Sequence, residues 1–366
     1  MIPRFLGFVL LAVAIVPQAQ ALPLYASREG ATCMTCHYDP NGGGIRNPFG
    51  FQYGKNRHSL EEEERWAKFT VDPKLTSWLQ IGFDTRILYV ASHTSGTSGL
   101  QTSTFFPMQG QLNFAVTPLD NLTLVASRGL VVDNPGFPSG YIARELYALF
   151  RGLPADLFLR VGRFRLPFGL RQADHTSYVR GPEFLPYDSQ QDDAGIEVGS
   201  VGSNWFGSLS FTDGSEPFGD RAQTFSGKVG RASKGFQAGA SGYHRYDEAL
   251  AMTSDRWGLY ASTTRGRITL LGEYAGGTME GTGMPSTDLQ AAFGEIDYRA
   301  SRGLDFLGKL DYFEQTGGSE ASARRYTIEC DVNPMPFTQI QIYYRYYNVS
   351  NAPDTDEYIA MLYIPF

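Results

Sequence analysis

From about residue 76 to Phe366 the chain alternates apolar and polar residues with a period of two. Leu79, Ile81, Phe83, Thr85, Ile87 and Tyr89 alternate with Gln80, Gly82, Asp84 and Arg86. Ala292, Gly294, Ile296 and Tyr298 alternate with Phe293, Glu295, Asp297 and Arg299, and Ile340, Ile342, Tyr344 and Tyr346 with Gln341, Tyr343, Arg345 and Tyr347. Because side chains of a strand point to opposite faces in turn, this is the pattern of strands with one apolar and one polar side. It predicts about sixteen of them, near 76–91, 105–117, 121–131, 141–150, 156–163, 192–200, 203–213, 221–231, 235–246, 255–264, 267–277, 288–300, 303–314, 323–332, 337–349 and 356–366.

Tight and long connections alternate between these segments. Pro118-Leu119-Asp120, Ser233-Lys234-Gly235, Arg265-Gly266, Ser301-Arg302-Gly303 and Asn333-Pro334-Met335-Pro336 are tight, whereas 92–104, 164–191, 278–287 and 315–322 are long. A β-sandwich also alternates, but it accounts for neither this asymmetry nor a strand that ends the chain. The expectation is an all-β fold: a transmembrane antiparallel β-barrel of about 16 strands, with both termini on the short-turn rim. The last strand places Tyr358, Ala360, Leu362, Ile364 and terminal Phe366 outward, resembling the assembly signal of outer-membrane barrels. Cys330 falls on the same lipid-facing side, beside Ile328 and Val332.

Composition sharpens this picture in two ways. With 366 residues, a net charge of -7 and 21 Tyr, 25 Phe and 41 Gly, the chain reads as one large β structure, and its acidic balance speaks against a nucleic-acid partner. Residues 1–21 read as a signal peptide: Arg4, an apolar run from Leu6 to Val16, and Ala19-Gln20-Ala21 as the cleavage site. The apolar run is short for a membrane helix, and no later stretch reaches 18 uninterrupted apolar residues.

Between leader and barrel, residues 22–75 carry Cys33-Met34-Thr35-Cys36-His37, the C-x-x-C-H attachment signature of a c-type haem. Two thiols spaced this way reach the two vinyl groups of a porphyrin, and the adjacent imidazole reaches its iron. A redox dithiol or short disulfide is the competing reading; export fits both. Of the 3 cysteines, Cys330 is left without a partner and reads as a small apolar residue. Asp39-Pro40-Asn41-Gly42-Gly43-Gly44 forms a turn that lets backbone approach a ring, and Phe49, Phe51 and Tyr53 are candidates to pack on it. Ser59 and Glu62 form a capping box for a short helix ending near Phe69. Some fifty residues are few for burying a haem unaided, so another part of the chain should wall it in. For a sixth iron ligand the candidates are His58 and Met108. His93 and His244 read as exposed loop histidines, and His175 beside Asp174 as a residue of the longest loop, 164–191.

The lumen of such a barrel is wide enough to hold water. Asp84, Arg86, Glu295, Asp297, Arg299, Lys309, Asp311, Glu329, Asp331 and Arg345 are expected to line it, and Arg163, Arg165, Arg171 and Arg180 add positive charge in and beside the long loop. The stretch Val161-Gly162-Arg163-Phe164-Arg165-Leu166-Pro167-Phe168-Gly169-Leu170 resembles a G-[RYF]-F-x-x-P-F-G segment of phosphate-selective porins. The order Leu22-Pro23-Leu24-Tyr25-Ala26-Ser27-Arg28-Glu29-Gly30, then C-x-x-C-H, then Asn47-Pro48-Phe49-Gly50-Phe51-Gln52-Tyr53 resembles the fused outer-membrane monohaem cytochrome–porins of iron-oxidising bacteria. Tyr25 stands in place of that family's Phe, and Ser27 separates Ala26 from Arg28.

That resemblance implies one covalent haem c on Cys33, Cys36 and His37, carried by a plug (22–75) in or under the barrel (76–366). It implies electron transfer across the bacterial outer membrane, in contact with its lipid, between an extracellular redox donor or acceptor and periplasmic carriers such as soluble cytochromes. An iron(II):cytochrome oxidoreductase is one version. Two other functions compete: an anion-selective porin with a redox-sensitive haem plug, and an enzyme using an open iron position.

Overall fold

The computed structural model describes residues 23–29, 32–57, 72–96, 98, 102–129, 145–172, 174, 176–181, 184, 192–202, 204–214, 222–318 and 320–366. Among the described residues three helices, α1 (Pro23–Glu29), α2 (Cys33–Cys36) and α3 (Pro48–Arg57), precede sixteen strands. The strands are β1 (Leu79–Thr94), β2 (Thr102–Leu119), β3 (Leu122–Gly129), β4 (Leu146–Leu153), β5 (Leu157–Phe164), β6 (Asp193–Val201), β7 (Trp205–Thr212) and β8 (Ala222–Ser233). They continue as β9 (Phe236–Asp247), β10 (Met252–Arg265), β11 (Ile268–Gly281), β12 (Thr287–Ser301), β13 (Leu304–Thr316), β14 (Ala321–Met335), β15 (Thr338–Val349) and β16 (Thr355–Pro365).

Each strand pairs antiparallel with its neighbours in sequence, and β1 closes on β16 from Asp84↔Pro365 to Thr94↔Thr355. Closure satisfies every strand edge and leaves none to aggregate. The alternation decides which face is which. Leu124, Ile196, Leu209, Leu270, Ile328 and Ile342 are exposed on the outside, whereas Gln111, Asn113, Arg160, Glu197, Asp311 and Arg325 are buried within. Apolar outside and polar inside is the arrangement a barrel needs in lipid. No helix among the described residues is long and apolar enough to cross a membrane.

All sixteen predicted strands are present, and their ends differ for a consistent reason. At the long-loop rim several strands run further than the apolar alternation does. β11 and β12 reach Gly281 and Thr287, and β13 and β14 reach Thr316 and Ala321, so the loops expected at 278–287 and 315–322 shrink to short connections. Backbone pairing continues beyond the apolar belt because polar strand residues there face water at no cost. β14 likewise extends to Met335, which moves its turn to Pro336 and Phe337, the latter with a left-handed φ of 58°. Phe366 differs in direction. Its backbone pairs with Phe83, but its ring packs on Phe51 of the plug and on Phe337 between β14 and β15, with centroids at 5.4 and 5.5 Å. The ring is thus half-buried among aromatics.

Candidate functional site

The site begins with α2, a single turn that carries both thiols of the motif. Cys33 and Cys36 are not bonded to each other. The His37 amide closes the turn on the Cys33 carbonyl at 2.9 Å. Asn47 then ties this turn to α3: its Nδ2 donates to the carbonyls of Met34 and Thr35 at 2.9 and 3.0 Å, and its Oδ1 accepts the Gly50 amide at 2.9 Å. Asn47 is therefore the N-cap of α3, followed by Pro48 in the first turn. An Asn-Pro pair ahead of a helix was the available sequence signal for this staple. Gly50 makes the crossing possible, since a Cβ there would lie 1.9 Å from the Cys36 carbonyl oxygen.

Burial sets the protonation of all three motif residues. It lowers His37 to about 3, with help from the Arg46 and Arg171 charges, so the imidazole is neutral at neutral pH. Burial raises the Cys33 thiol and pushes Cys36 up to about 11. A neutral imidazole is the form that binds a metal. The His37 ring is buried, and a hydrogen bond with the Gly44 backbone works against the lowering.

The plug is stitched to the inner wall all round the short-turn half of the barrel. Arg28 pairs with Asp305 at 2.8 Å, Tyr38 Oη donates to Gln80 at 3.2 Å, and Arg46 Nη1 donates to the Pro365 carbonyl at 3.1 Å. The strongest tie is Asp39. Its Oδ1 accepts from the Asn41 amide at 2.7 Å and from Arg160 at 2.8 Å, and its Oδ2 from Arg171 at 2.9 Å. Arg160 lies on β5, is fully buried, and donates Nε to Glu197 on β6 at 2.8 Å; Asn41 Nδ2 reaches the same carboxylate at 3.0 Å. Burial alone would raise the Asp39 carboxyl, but Arg160 and Arg171 outweigh it and hold it down. Three successive left-handed residues, Gly42, Gly43 and Gly44, bring the chain round beneath Arg171.

Arg171 belongs to the loop between β5 and β6, which turns into the lumen above the plug. Phe168 packs edge-on to Tyr243 at 6.5 Å, the Leu170 amide donates to Glu273 at 2.7 Å, and the Phe184 carbonyl accepts from Arg256 at 2.6 Å. Asp174 is held by Lys309 at 2.9 Å, Arg345 at 3.2 Å and Arg325, cations on three successive strands, β13 to β15. The loop arginines are not free charges: Arg165 pairs with Asp192 at 3.5 Å, Arg171 with Asp39, and Arg180 with Glu273 at 3.7 Å.

No protein-family profile matches the chain, and neither does any curated protein sequence. Solved structures do resemble it. OmpT, an outer membrane protein of Vibrio cholerae, superposes with a TM-score of 0.61 at 10% identity over 81% of this chain and 100% of that one. The anion-selective porin of Comamonas acidovorans gives 0.59 at 12% identity over 79% and 99%. The outer membrane channel DcaP of Acinetobacter baumannii gives 0.58 at 9% over 80% and 99%. The fold is that of a porin.

Within this porin barrel a small cleft lies between plug, inward loop and wall, lined among others by Cys33, Arg171, Phe206, Lys228, Gln237 and Tyr260. The donor set of a covalent porphyrin is present on the plug, with two unbonded thiols on one turn and a buried imidazole next to the second. Of the three, Cys33 lines the cleft, and Cys36 and His37 do not.

The other candidates are less close to it. Met108 sits in a separate apolar cluster of the porin lumen with Leu88, Ile359 and Met361, which contains no plug residue. His58, His175, and Ser59 with Glu62 lie outside the described residues. Of the plug aromatics, Phe49 is exposed, Phe51 stacks on Phe337 at 4.7 Å, and Tyr53 Oη donates to Glu29 at 3.0 Å. His93 and His244 are half-exposed beside Asp356 and Asp255. Asn41, Asn47, Arg160 and Glu197 are site residues that the motif alone did not single out.

Proposed function

We propose that this chain is an electron-transfer protein of the bacterial outer membrane, in which one covalent haem c is held inside a porin barrel. Cys33 and Cys36 carry the porphyrin and His37 ligates its iron; when bound, the haem supplies a one-electron couple. The protein's own part is to bury that group. The plug and inward loop keep bulk water from it, Asn47 and Gly50 hold α2 against α3, and Asp39 fixes the motif to Arg160 and Arg171. The partners implied are an extracellular redox species, Fe(II) among them, and periplasmic carriers such as soluble cytochromes. The observation that carries this reading is an unbonded thiol pair on one turn followed at once by a buried histidine.

A filled lumen favours this conduit over the alternative of an anion-selective porin with a haem-bearing plug. The alternative draws on the arginine-rich loop, but Arg165, Arg171 and Arg180 are neutralised by Asp192, Asp39 and Glu273. The deciding experiment compares wild type with Cys33→Ala/Cys36→Ala. Wild type is expected to stain for haem on a denaturing gel and to show reduced haem bands after mixing with Fe(II). The double variant is expected to lose both while remaining a heat-modifiable barrel. Stain that survives the double substitution would overturn the attachment, and stained protein that no reductant can reduce would overturn electron transfer.

A further inference from the structure

We propose that the short-turn rim carries a docking surface for the acidic face of a soluble electron carrier, built on Lys234, Arg265, Arg267 and Arg302. The inference rests on the electron-transfer reading and names the chemistry of its partner on the periplasmic side. The four cations occupy three consecutive hairpin turns. Lys234 lies between β8 and β9, Arg265 and Arg267 flank the turn from β10 to β11, and Arg302 lies between β12 and β13. All four are exposed. Neighbouring strands lie about 4.8 Å apart, so these three turns span roughly 20 Å of rim. That breadth suits a small, transient protein contact better than a permanent one. In barrels of this layout the short turns face the periplasm.

The arc is one-sided. The turns between β2 and β3 and between β4 and β5 carry exposed Asp120 and Asp156, and the turns around Asn204 and Phe337 are uncharged. Lipid surrounds a barrel on every side, so a rim shaped for anionic headgroups has no reason to be basic on one arc alone. The arc also runs against a chain whose net charge is -7. Lys234 and Arg265 make no ion pair among the described residues. Arg267 donates to the Ala300 carbonyl at 3.0 Å, a neutral partner that leaves its charge uncompensated. Other basic residues near this rim are engaged inward: Arg151 lies over Tyr38 and donates to Thr123 at 3.2 Å, and Arg299 pairs with Asp305 at 3.6 Å. The arc lies beside the plug as well. Thr264, next to Arg265, donates to the Ser27 hydroxyl of α1 at 2.9 Å, and Arg28 Nε donates to Thr269, on the other side of the same turn, at 3.1 Å. Since α1 leads into the turn that carries the thiols, a partner seated on the arc stands against the redox segment. Exposed rim charges speed encounter more than they hold a complex together, which suits a carrier that must leave after each electron.

The test uses the purified full-length protein with its haem, in lipid nanodiscs. Wild type is compared with the charge-reversed Lys234→Glu/Arg265→Glu, the charge-conserving Lys234→Arg/Arg265→Lys and a control on the opposite arc, Asp120→Asn/Asp156→Asn. The probes are two soluble redox proteins of opposite charge, an acidic plastocyanin and a basic cytochrome c. Binding is measured on immobilised discs, and haem stain and heat-modifiability report attachment and folding. Wild type should bind the acidic probe in preference to the basic one, and salt should weaken that binding. Charge reversal should lower affinity for the acidic probe on the order of tenfold, the charge-conserving variant should restore it, and the control should leave it unchanged. Stained, folded charge-reversed protein that binds the acidic probe as wild type does would overturn the proposal, as would a loss that the charge-conserving variant fails to restore. Phosphatidylglycerol retained through purification is counted in parallel; its loss on charge reversal, with probe binding unchanged, would assign the arc to lipid headgroups instead. The two readings fail separately, since binding reports the surface and stain reports the haem. Unstained wild type would overturn the electron-transfer role whether or not the acidic probe binds.

Discussion

Two pieces of chain fill the lumen, and they are anchored differently. The inward loop hangs on Asp174, whose carboxylate is shared by Lys309, Arg325 and Arg345, all on the wall. The plug hangs on Asp39, whose two cations are Arg160 of the wall and Arg171 of the loop. The loop is thus fixed without the plug, but the plug is fixed partly by the loop. Around Asp39 the plug adds scattered single ties, from Arg28 at β13 to Arg46 at the end of β16, while the loop gathers three wall cations on Asp174 and adds single ties at Glu273 and Arg256. A distributed attachment suits a segment that must hold a site in place; a concentrated one suits a constriction that narrows a channel.

Removing the plug should have the largest effect. Protein lacking residues 22–75 should conduct ions in planar bilayers where the intact protein does not, and adding Asp174→Ala should raise that conductance further. Equal single-channel conductance from intact and truncated protein would place the cofactor-bearing segment outside the lumen.

Gly50→Ala should come next in size. The added methyl meets the Cys36 carbonyl at 1.9 Å, so α2 and α3 cannot pack. Haem stain should fall sharply while the barrel still migrates as folded, and undiminished stain would contradict the described crossing.

Asp174→Ala in the intact protein should be milder. Breaking a buried pair costs on the order of 3–5 kcal/mol, but Asp311 on β13 remains to share Lys309 and Arg325. A lower unfolding temperature and protease cleavage within 165–184 are expected, with plug and haem spectrum retained. The same tie predicts a pH response. Burial would raise the Asp174 carboxyl, but Lys309, Arg325 and Arg345 outweigh it and hold it well below its ordinary 3.8. A depressed folded pKa gives stability that is complete above the ordinary carboxylate range and is lost only as pH falls through the depressed value. Loop protection should therefore persist at about pH 5; cleavage appearing there would count against the tie.

The smallest effect is expected at Met108. Leucine in its place conserves volume and should cost less than about 1.5 kcal/mol, and the haem spectrum should be unchanged because Met108 packs with Leu88, Ile359 and Met361.

The barrel was legible because one physical rule, alternation between lipid and lumen, is written into every strand from Leu79 to Pro365. The plug was legible only as a motif. Its helical turns are held by tertiary partners such as Asn47 with Met34 and Asp39 with Arg160, residues 121 positions apart in the latter case. Nothing local in the sequence announces such pairs. The long loop was recognisable by length and arginine content, but its charges read as an anion attractor. Their neutralising carboxylates, Glu273 and Asp192 among them, become neighbours only when the lumen closes.

One feature of the site also constrains how the molecule is made. Cys33 faces a cleft roofed by the inward loop and walled by β6 to β10, inside a cylinder whose seam is β1 on β16. A catalyst of protein size has no approach to that sulfur once the seam is sealed. On the proposed haem reading, covalent loading of the thiols precedes barrel closure, and topology rather than affinity sets that order. A chain that closed unloaded would be a kinetic dead end, folded on the outside and beyond repair within.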